Sequence, residues 1–371
     1  MEAIYKRCCG LDVHKKSITA CIITPEGQET RTFSTMTKGL LELADWLAKH
    51  QITHVAMEST GVYWKPVYNL LEDEFTTMVV NAQHIKAVPG RKTDVKDAEW
   101  IAELLRHGLI KASFIPDRWQ REMRELTRYR RSIIQERSRE VNRIQKVLEG
   151  ANIKLSSVAT DVMGVSARAM LEAMVSGVED PEELAQMAKG RMRTKLPQLE
   201  EALQGLMGAH QRMMLQTQLS HLDFLDQAIA QLDEEIANRM LPFEQPIRQI
   251  DEVPGINRRT VEDVLAEIGM DMSRFPTNRH ISSWAKICPG NNQSAGKRRN
   301  GRTGHANKWL RTALVQGAQS ASHTKNTYLS AQYHRIASRR GKNKAKVAVA
   351  HSILVIIYHI LRDGVSFKEL G

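Results

Sequence analysis

The chain has 371 residues, more than one hydrophobic core comfortably serves, so two or three domains are expected. Its 42% hydrophobic and 26% charged residues fit a soluble protein, and a net charge of +11 favours an anionic partner. Four cysteines (Cys8, Cys9, Cys21, Cys288) lack both metal-ligand spacing and a disulfide framework, which points to reduced, cytoplasmic thiols.

The N-terminus carries no apolar signal core. The longest apolar run, Val347 to Leu361, is short and broken by His351 and His359, so it reads as a buried helix and no membrane partner is expected. The excess charge is uneven. Between Asp271 and Asp363 there is no Asp or Glu, while Lys and Arg recur throughout. A segment of one sign suits a polyphosphate backbone, where each neutralised phosphate releases counterions.

Along the chain, residues 1–115 read as α/β. Apolar runs at Cys8 to Val13 and Ser17 to Thr24 are separated by a turn from a third strand near Arg31 to Thr35, with Pro25-Glu26-Gly27 as the turn signal. Leu40, Leu41, Leu43, Ala44 and Leu47 follow helical spacing, His54 to Met57 returns to strand character, and Phe75 to Val80 supplies a last strand. Three strands, a helix, a strand, a helix and a strand is the order of an RNase H-like sheet.

Residues 116–242 read as a helical coiled-coil linker with a small helical insert. One amphipathic helix spans Asp117 to Glu149, and a second runs from about Leu196 to Met240, with Leu206, Met213, Leu222, Leu225, Ile229, Leu232 and Ile236 on one face. The arginines from Arg118 to Arg143 fit two readings: a nucleic-acid backbone track, or a solvated face in which Glu122, Glu125, Glu136 and Glu140 form helical pairs.

Residues 243–371 form a mostly helical C-terminal domain. Val253-Pro254-Gly255-Ile256-Asn257 before a helix resembles a helix-hairpin-helix, whose amides hold a phosphate. Asn257 stands where a second hairpin glycine is usual, and Asn tolerates the left-handed conformation that place requires. A plain helix-turn-helix contact fits the same residues.

Two constellations carry chemistry. Asp12 ends an apolar strand and Glu58 ends the fourth; in an RNase H-like sheet those strands are neighbours and the carboxylates converge. Asp94 and Asp97 are three apart, so a helix there would place them on one face. Each has a plainer structural role: Asp12 in a strand-end turn, Glu58 at an exposed strand terminus, and Asp94 or Thr93 as a helix cap with Asp97 in the first turn. Together, the four supply the hard oxygens of a two-metal Mg²⁺ site for phosphoryl transfer. His14 and His54 read as structural.

The second constellation is Ser294, in Pro289-Gly290-Asn291-Asn292-Gln293-Ser294-Ala295-Gly296, followed by Lys297, Arg298, Arg299 and Arg302. By composition alone it is a phosphate-binding surface loop. A nucleophilic serine needs an activator, and no neighbour in sequence supplies one. Arg335, Arg339, Arg340, Lys342, Lys344 and Lys346 form a further basic cluster suited to backbone contacts.

These motifs (Gly-Leu-Asp12-Val-His, Met-Glu58-Ser-Thr-Gly-Val-Tyr-Trp, Lys-Thr-Asp94-Val-Lys-Asp97-Ala, Val-Pro-Gly-Ile, and Pro-Gly-Asn-Asn-Gln-Ser294-Ala-Gly-Lys) resemble the DEDD transposases of the insertion-sequence family called one-ten. The resemblance covers nearly the whole chain, least clearly from Ala151 to Leu196. It implies a RuvC-like metal-binding domain, a coiled-coil linker and a C-terminal transposase domain. It assigns Asp12, Glu58, Asp94 and Asp97 to an acidic tetrad and Ser294 to a nucleophile that forms a phosphoseryl–DNA intermediate. The implied partners are double-stranded DNA at element ends and target, a structured noncoding bridge RNA, and further copies of the chain in a dimer or tetramer with a composite site. The competing readings are a RuvC-like nuclease or junction resolvase that uses water in place of serine, and a non-catalytic nucleic-acid-binding protein.

Overall fold

A computed structural model describes residues 3–59, 61–81, 97–289, 292–294, 297–300, 303–304 and 307–369; of 292–294 and 297–300 only the backbone is described. The chain divides into two compact units, Met1–Arg118 and Trp119–Gly371.

The first unit is built on a sheet of β1 (Cys8–Val13), β2 (Ser17–Thr24), β3 (Gly27–Ser34), β4 (His54–Glu58) and β5 (Thr76–Val80), in the order β3-β2-β1-β4-β5. The first three form an antiparallel meander, while β4 runs parallel to β1 and β5 parallel to β4. This mixed sheet, followed by a mostly helical body, is consistent with the expected RNase H-like domain. The third strand begins four residues earlier than its apolar pattern indicates. It is an exposed edge whose polar residues, such as Gln28 and Thr30, are held by backbone pairing to β2.

Central strand β1 is buried on both faces as far as Leu11, which explains its run of apolar and small residues up to Asp12. Leu11, Val13, Ile18, Val55 and Met57 pack on one side with α1 (Thr37–Lys49) and α2 (Trp64–Leu71). Cys8, Cys21, Ile23, Ala56 and Val80 face the other side, under α3 (Asp97–Arg106). Burial pushes the Cys8 thiol up to about 12 and raises those of Cys9 and Cys21, so all three are inert core groups. All four cysteines are free thiols.

The second unit begins on α4 (Arg118–Gly150), whose partner is α9 (Ala209–Met240). Arg239 pairs with Glu122, Arg130 with Asp233, and Arg137 with Asp226, so the two helices run antiparallel. Ile133, Leu225 and Ile229 form the apolar contact between them. Between these helices lie α5 (Leu155–Val158), α6 (Val165–Ser176), α7 (Pro181–Gln186) and α8 (Leu196–Leu203), sharing a core with the far ends of α4 and α9.

The second long helix of the sequence pattern is in fact two, α8 and α9, interrupted at residues 204–208. Gly205 lies so close to Ala151 O and Ile153 that a Cβ there would clash, and Gly208 caps α9 by donating to Gln211 Oε1 at 2.7 Å. Consequently Leu206 is 88% exposed and Met213 63% exposed, and neither belongs to the buried stripe.

The remainder is α10 (Glu244–Asp251), α11 (Arg258–Ile268), α12 (Asn278–Trp284), the hairpin of β6 (Asn292–Ser294) and β7 (Lys297–Asn300), then α13 (Lys308–Ala321), α14 (Tyr328–Arg340) and α15 (Lys342–Asp363). Helix α15 is long and apolar enough to cross a membrane by length and composition alone. Ala345, Val349, Ala350, Ile353, Leu354, Ile357 and Tyr358 are nevertheless buried in the core that α10, α11 and α13 share, as the histidine-broken run predicts.

Candidate active site

The register of β1 and β4 pairs Cys8 with His54 and Leu11 with Met57. Continued by one residue, it sets Asp12 level with Glu58 on neighbouring strands, about 4.8 Å apart at the backbone and on the same face. That face is the one α3 covers. Arg106 O accepts from Ile4 N and Tyr5 N, Cys8 Sγ approaches Ala102 O at 3.7 Å, and Gly10 lies beneath Ala98 and Ala102. Helix α3 therefore runs antiparallel to β1, and its first residue, Asp97, lies toward the strand end that carries Asp12.

Gly10 makes this seating possible. Any Cβ at this position would overlap Ala98 O and Ala102 N, both backbone atoms that a rotamer change cannot move. The sequence signal is present in Cys-Gly-Leu-Asp, yet a glycine within a strand does not say which backbone it admits.

Sequence order thus brings Asp12, Glu58 and Asp97 toward one end of the sheet, while Asp94 lies outside the described residues. His14 Nε2 meets Asp12 Oδ2 at 3.0 Å, a strand-end contact consistent with a structural histidine. Asp12 and Glu58 are partly buried and Asp97 is exposed. Among the described residues no group of three or more His, Cys, Asp or Glu side chains forms a finished metal cage. The donors are all carboxylate oxygens, the chemistry that hard cations such as Mg²⁺ take.

Ser294 belongs to the second unit, where it ends β6 and pairs with Lys297 of β7. Its segment is a two-stranded hairpin with an irregularity between Asn292 and Gln293, more ordered than a composition of turn formers indicates. Lys297, Arg298 and Arg299 lie along β7, and Arg302 lies outside the described residues. Arg339 and Arg340 close α14 and Lys342 opens α15; all three are exposed.

The Val-Pro-Gly-Ile segment forms a turn between α10 and α11, with Gly255 at φ +84°. Asn257, however, is not left-handed: at φ −127° and ψ 164° it is the N-cap of α11, and its Oδ1 accepts from Thr260 N at 2.9 Å and Thr260 Oγ1 at 2.8 Å. Capping is what an Asn before a helix does best, and it outcompetes the turn role. Gly255 presses against Gly317 and Ala321 of α13, where a Cβ would overlap backbone.

The arginines of α4 divide: Arg139 and Arg143 pair with Glu136 and Glu140 along the helix, as the second reading expects, whereas those from Arg124 to Arg131 follow neither reading. Arg130, 1% exposed, donates to Glu262 at 2.6 Å, Asp263 at 2.8 Å and Asp233 at 3.0 Å. Burial opposes its charge, but the carboxylates more than offset this and its pKa is raised. Arg128 grips Glu267 with two bonds of 2.7 and 2.8 Å, and Arg124 holds the Ala266 and Glu267 carbonyls. Asn307, the N-cap of α13, donates to the same Glu267. These side chains bolt α4 to α11 and α13.

Comparison with known proteins agrees with this layout. Residues 9–153 match the DEDD_Tnp_IS110 family, described as a transposase, and residues 247–335 match the family described as "Transposase IS116/IS110/IS902 family". The chain is also similar to the "Pilin gene-inverting protein" of Moraxella lacunata and that of Moraxella bovis. Each is 22% identical over 387 residues, covering 97% of both chains.

Proposed function

Because the chain belongs to the IS110 family of transposases and is a DNA recombinase, we propose that it cuts and rejoins DNA through the hairpin serine, Ser294, in concert with Asp12, Glu58, Asp94 and Asp97. The observation that carries the acidic half is the β1–β4 register, which sets Asp12 and Glu58 level on one face of the sheet. Asp12, Glu58, Asp94 and Asp97 would hold Mg²⁺, which when bound stabilises negative charge developing on the phosphate oxygens.

In this reading the Ser294 hydroxyl loses its proton as its oxygen bonds to phosphorus. The deoxyribose oxygen leaves with a proton, and a phosphoseryl–DNA linkage results. A deoxyribose hydroxyl of another strand then attacks that linkage, rejoins the DNA and restores the serine. The curated relatives are named for inverting a gene, an outcome that requires two cut sites to exchange ends. Cationic Lys297, Arg298, Arg299, Arg302, Arg339, Arg340 and Lys342 supply phosphate contacts.

The proposal also keeps a three-part organisation: a RuvC-like domain (1–115), a coiled-coil linker (116–242), and a serine-bearing domain (243–371) in which the α10–α11 turn docks on DNA in the manner of a helix-hairpin-helix. The family resemblance adds a bridge RNA that selects both DNA sites and a dimeric or tetrameric assembly.

The test is covalent trapping. The full chain, copurified with its RNA, is incubated with Mg²⁺ and a plasmid carrying its own gene and flanks. A protease-sensitive DNA adduct is expected from wild type and absent from Ser294→Ala and Asp12→Ala. An adduct from Ser294→Ala overturns the serine assignment, and free cleaved ends without any adduct favour a RuvC-like nuclease.

A further inference from the structure

A cleft of about 920 Å³ is lined by residues that flank the serine hairpin in sequence. Cys288 and Pro289, which lead into β6, form one wall, and Thr303, which follows β7, adds to it. Ile287 joins that wall, and the remaining lining comes from α13, α14 and α15. Among the described residues no acidic side chain lines it, as expected where the chain has none between Asp271 and Asp363.

Its chemistry is divided. Arg311 and Lys344 supply two cations, with Arg311 Nη1 steadied by Thr303 Oγ1 at 3.1 Å. Ile287, Val347 and Ala348 supply an apolar wall. Gln332 donates to Ser352 Oγ at 2.9 Å, while its buried Oε1 has no hydrogen-bond partner among the described residues. Phosphate alone satisfies the cations but leaves the apolar wall uncovered. A nucleotide offers both an anionic phosphate and a flat apolar face.

We propose that this cleft holds a nucleotide of the DNA strand worked on at the serine hairpin, with its phosphate on Arg311 and Lys344 and its base against Val347 and Ala348. The proposal rests on the DNA-recombinase reading and specifies a strand-binding subsite for it. Its volume exceeds the ~300 Å³ at which ligand pockets begin, room enough for one nucleotide. Burial lowers the pKa of His351, so it faces the strand as a neutral hydrogen-bonding group.

Cys288 gives a direct readout, because it lines the cleft while Cys8, Cys9 and Cys21 are buried. The full chain, copurified with its RNA, is alkylated with N-ethylmaleimide, alone and with a duplex of its own gene flanks, while fluorescence anisotropy of the labelled duplex verifies binding. Bound DNA is expected to slow Cys288 alkylation several-fold. Lys344→Ala, exposed and so expected to fold normally, should lose that protection and lower the slope of log affinity against log salt by about one. Unchanged alkylation with DNA demonstrably bound overturns the cleft assignment alone, as does a Lys344→Ala variant that keeps both protection and slope. RNA of the same sequence protecting Cys288 where DNA does not also overturns it. Failure of the wild-type chain to bind DNA overturns the recombinase reading, and the cleft with it.

Discussion

The arginines of α4 and the basic residues where α14 meets α15 carry the same charge into opposite settings. On α4, Arg124, Arg128, Arg130 and Arg131 are turned inward onto Asp233, Asp263, Glu262 and Glu267. At the α14–α15 corner, Arg335, Arg339, Arg340, Lys342 and Lys344 are exposed, with no carboxylate among the described residues within ion-pairing distance. The difference lies in the sequence around each group. The carboxylates that hold these four arginines come from α9 and α11, ahead of the acid-free stretch, whereas the corner lies inside that stretch and has no local acid to turn to. Density of arginine is therefore a poor guide to a nucleic-acid surface. Absence of acid over a long stretch says more about which cations stay unpaired within the fold.

The largest test of this contrast is Arg130→Ala. It removes the cation that buried Glu262 and Asp263 share, leaving them only the longer contacts to Arg258 and Arg131, a loss expected to cost about 3 kcal/mol. Urea unfolding of the second unit should show it as a large drop in midpoint, while DNA affinity per folded molecule stays at the wild-type level. A variant that unfolds normally yet binds DNA weakly would break the contrast. The paired double variant, Arg339→Gln with Arg340→Gln, should behave in reverse. Stability is expected to change by no more than ~0.5 kcal/mol, as for ordinary surface substitutions. The slope of log affinity against log salt should become shallower by up to ~1.8, about 0.9 for each phosphate no longer neutralised. Filter binding across a salt series measures it, and an unaltered slope would remove this corner from the DNA surface.

What the sequence makes legible follows the same division between local and distant causes. The strands are readable because alternation and turn signals are properties of short segments, and the nearness of Asp12 and Glu58 follows from taking the element order as RNase H-like. The apolar helix α15 is readable as core because His351 and His359 interrupt it. The fate of Arg130 is not, since helical spacing reveals only local pairs such as Arg143 with Glu140, while the partners of Arg130 lie more than a hundred residues away. The break between α8 and α9 is hidden because Leu206 and Met213 continue the apolar periodicity that Gly205 interrupts. Asn257 invites a turn conformation by its place in the motif, whereas the helix that follows it needs a cap. The cleft lined by Cys288 is illegible for a related reason: Arg311, Gln332 and Lys344 meet only when three helices pack.

The smallest effect concerns what happens to a titratable group in the acid-free stretch. His351 is half-buried in α15, and burial lowers its pKa below the ordinary histidine value. The unfolded chain's histidine titrates near 6.5, so just below that pH the unfolded state binds more protons than the folded one. Stability from this group is therefore fully present above ~6.5 and is lost as pH falls through the folded value. A carboxylate beside it would hold the pKa up and erase the effect; none is among the groups that shift it. Unfolding midpoints of the second unit should accordingly fall between about pH 7.5 and 5 more steeply in wild type than in His351→Gln. The difference should be smaller than the loss from Arg130→Ala, because one partly exposed imidazole is desolvated here rather than a buried ion cage. Parallel pH profiles for the two proteins would mean that His351 finds a compensating charge, and that the C-terminal segment is less isolated from acid than its sequence makes it.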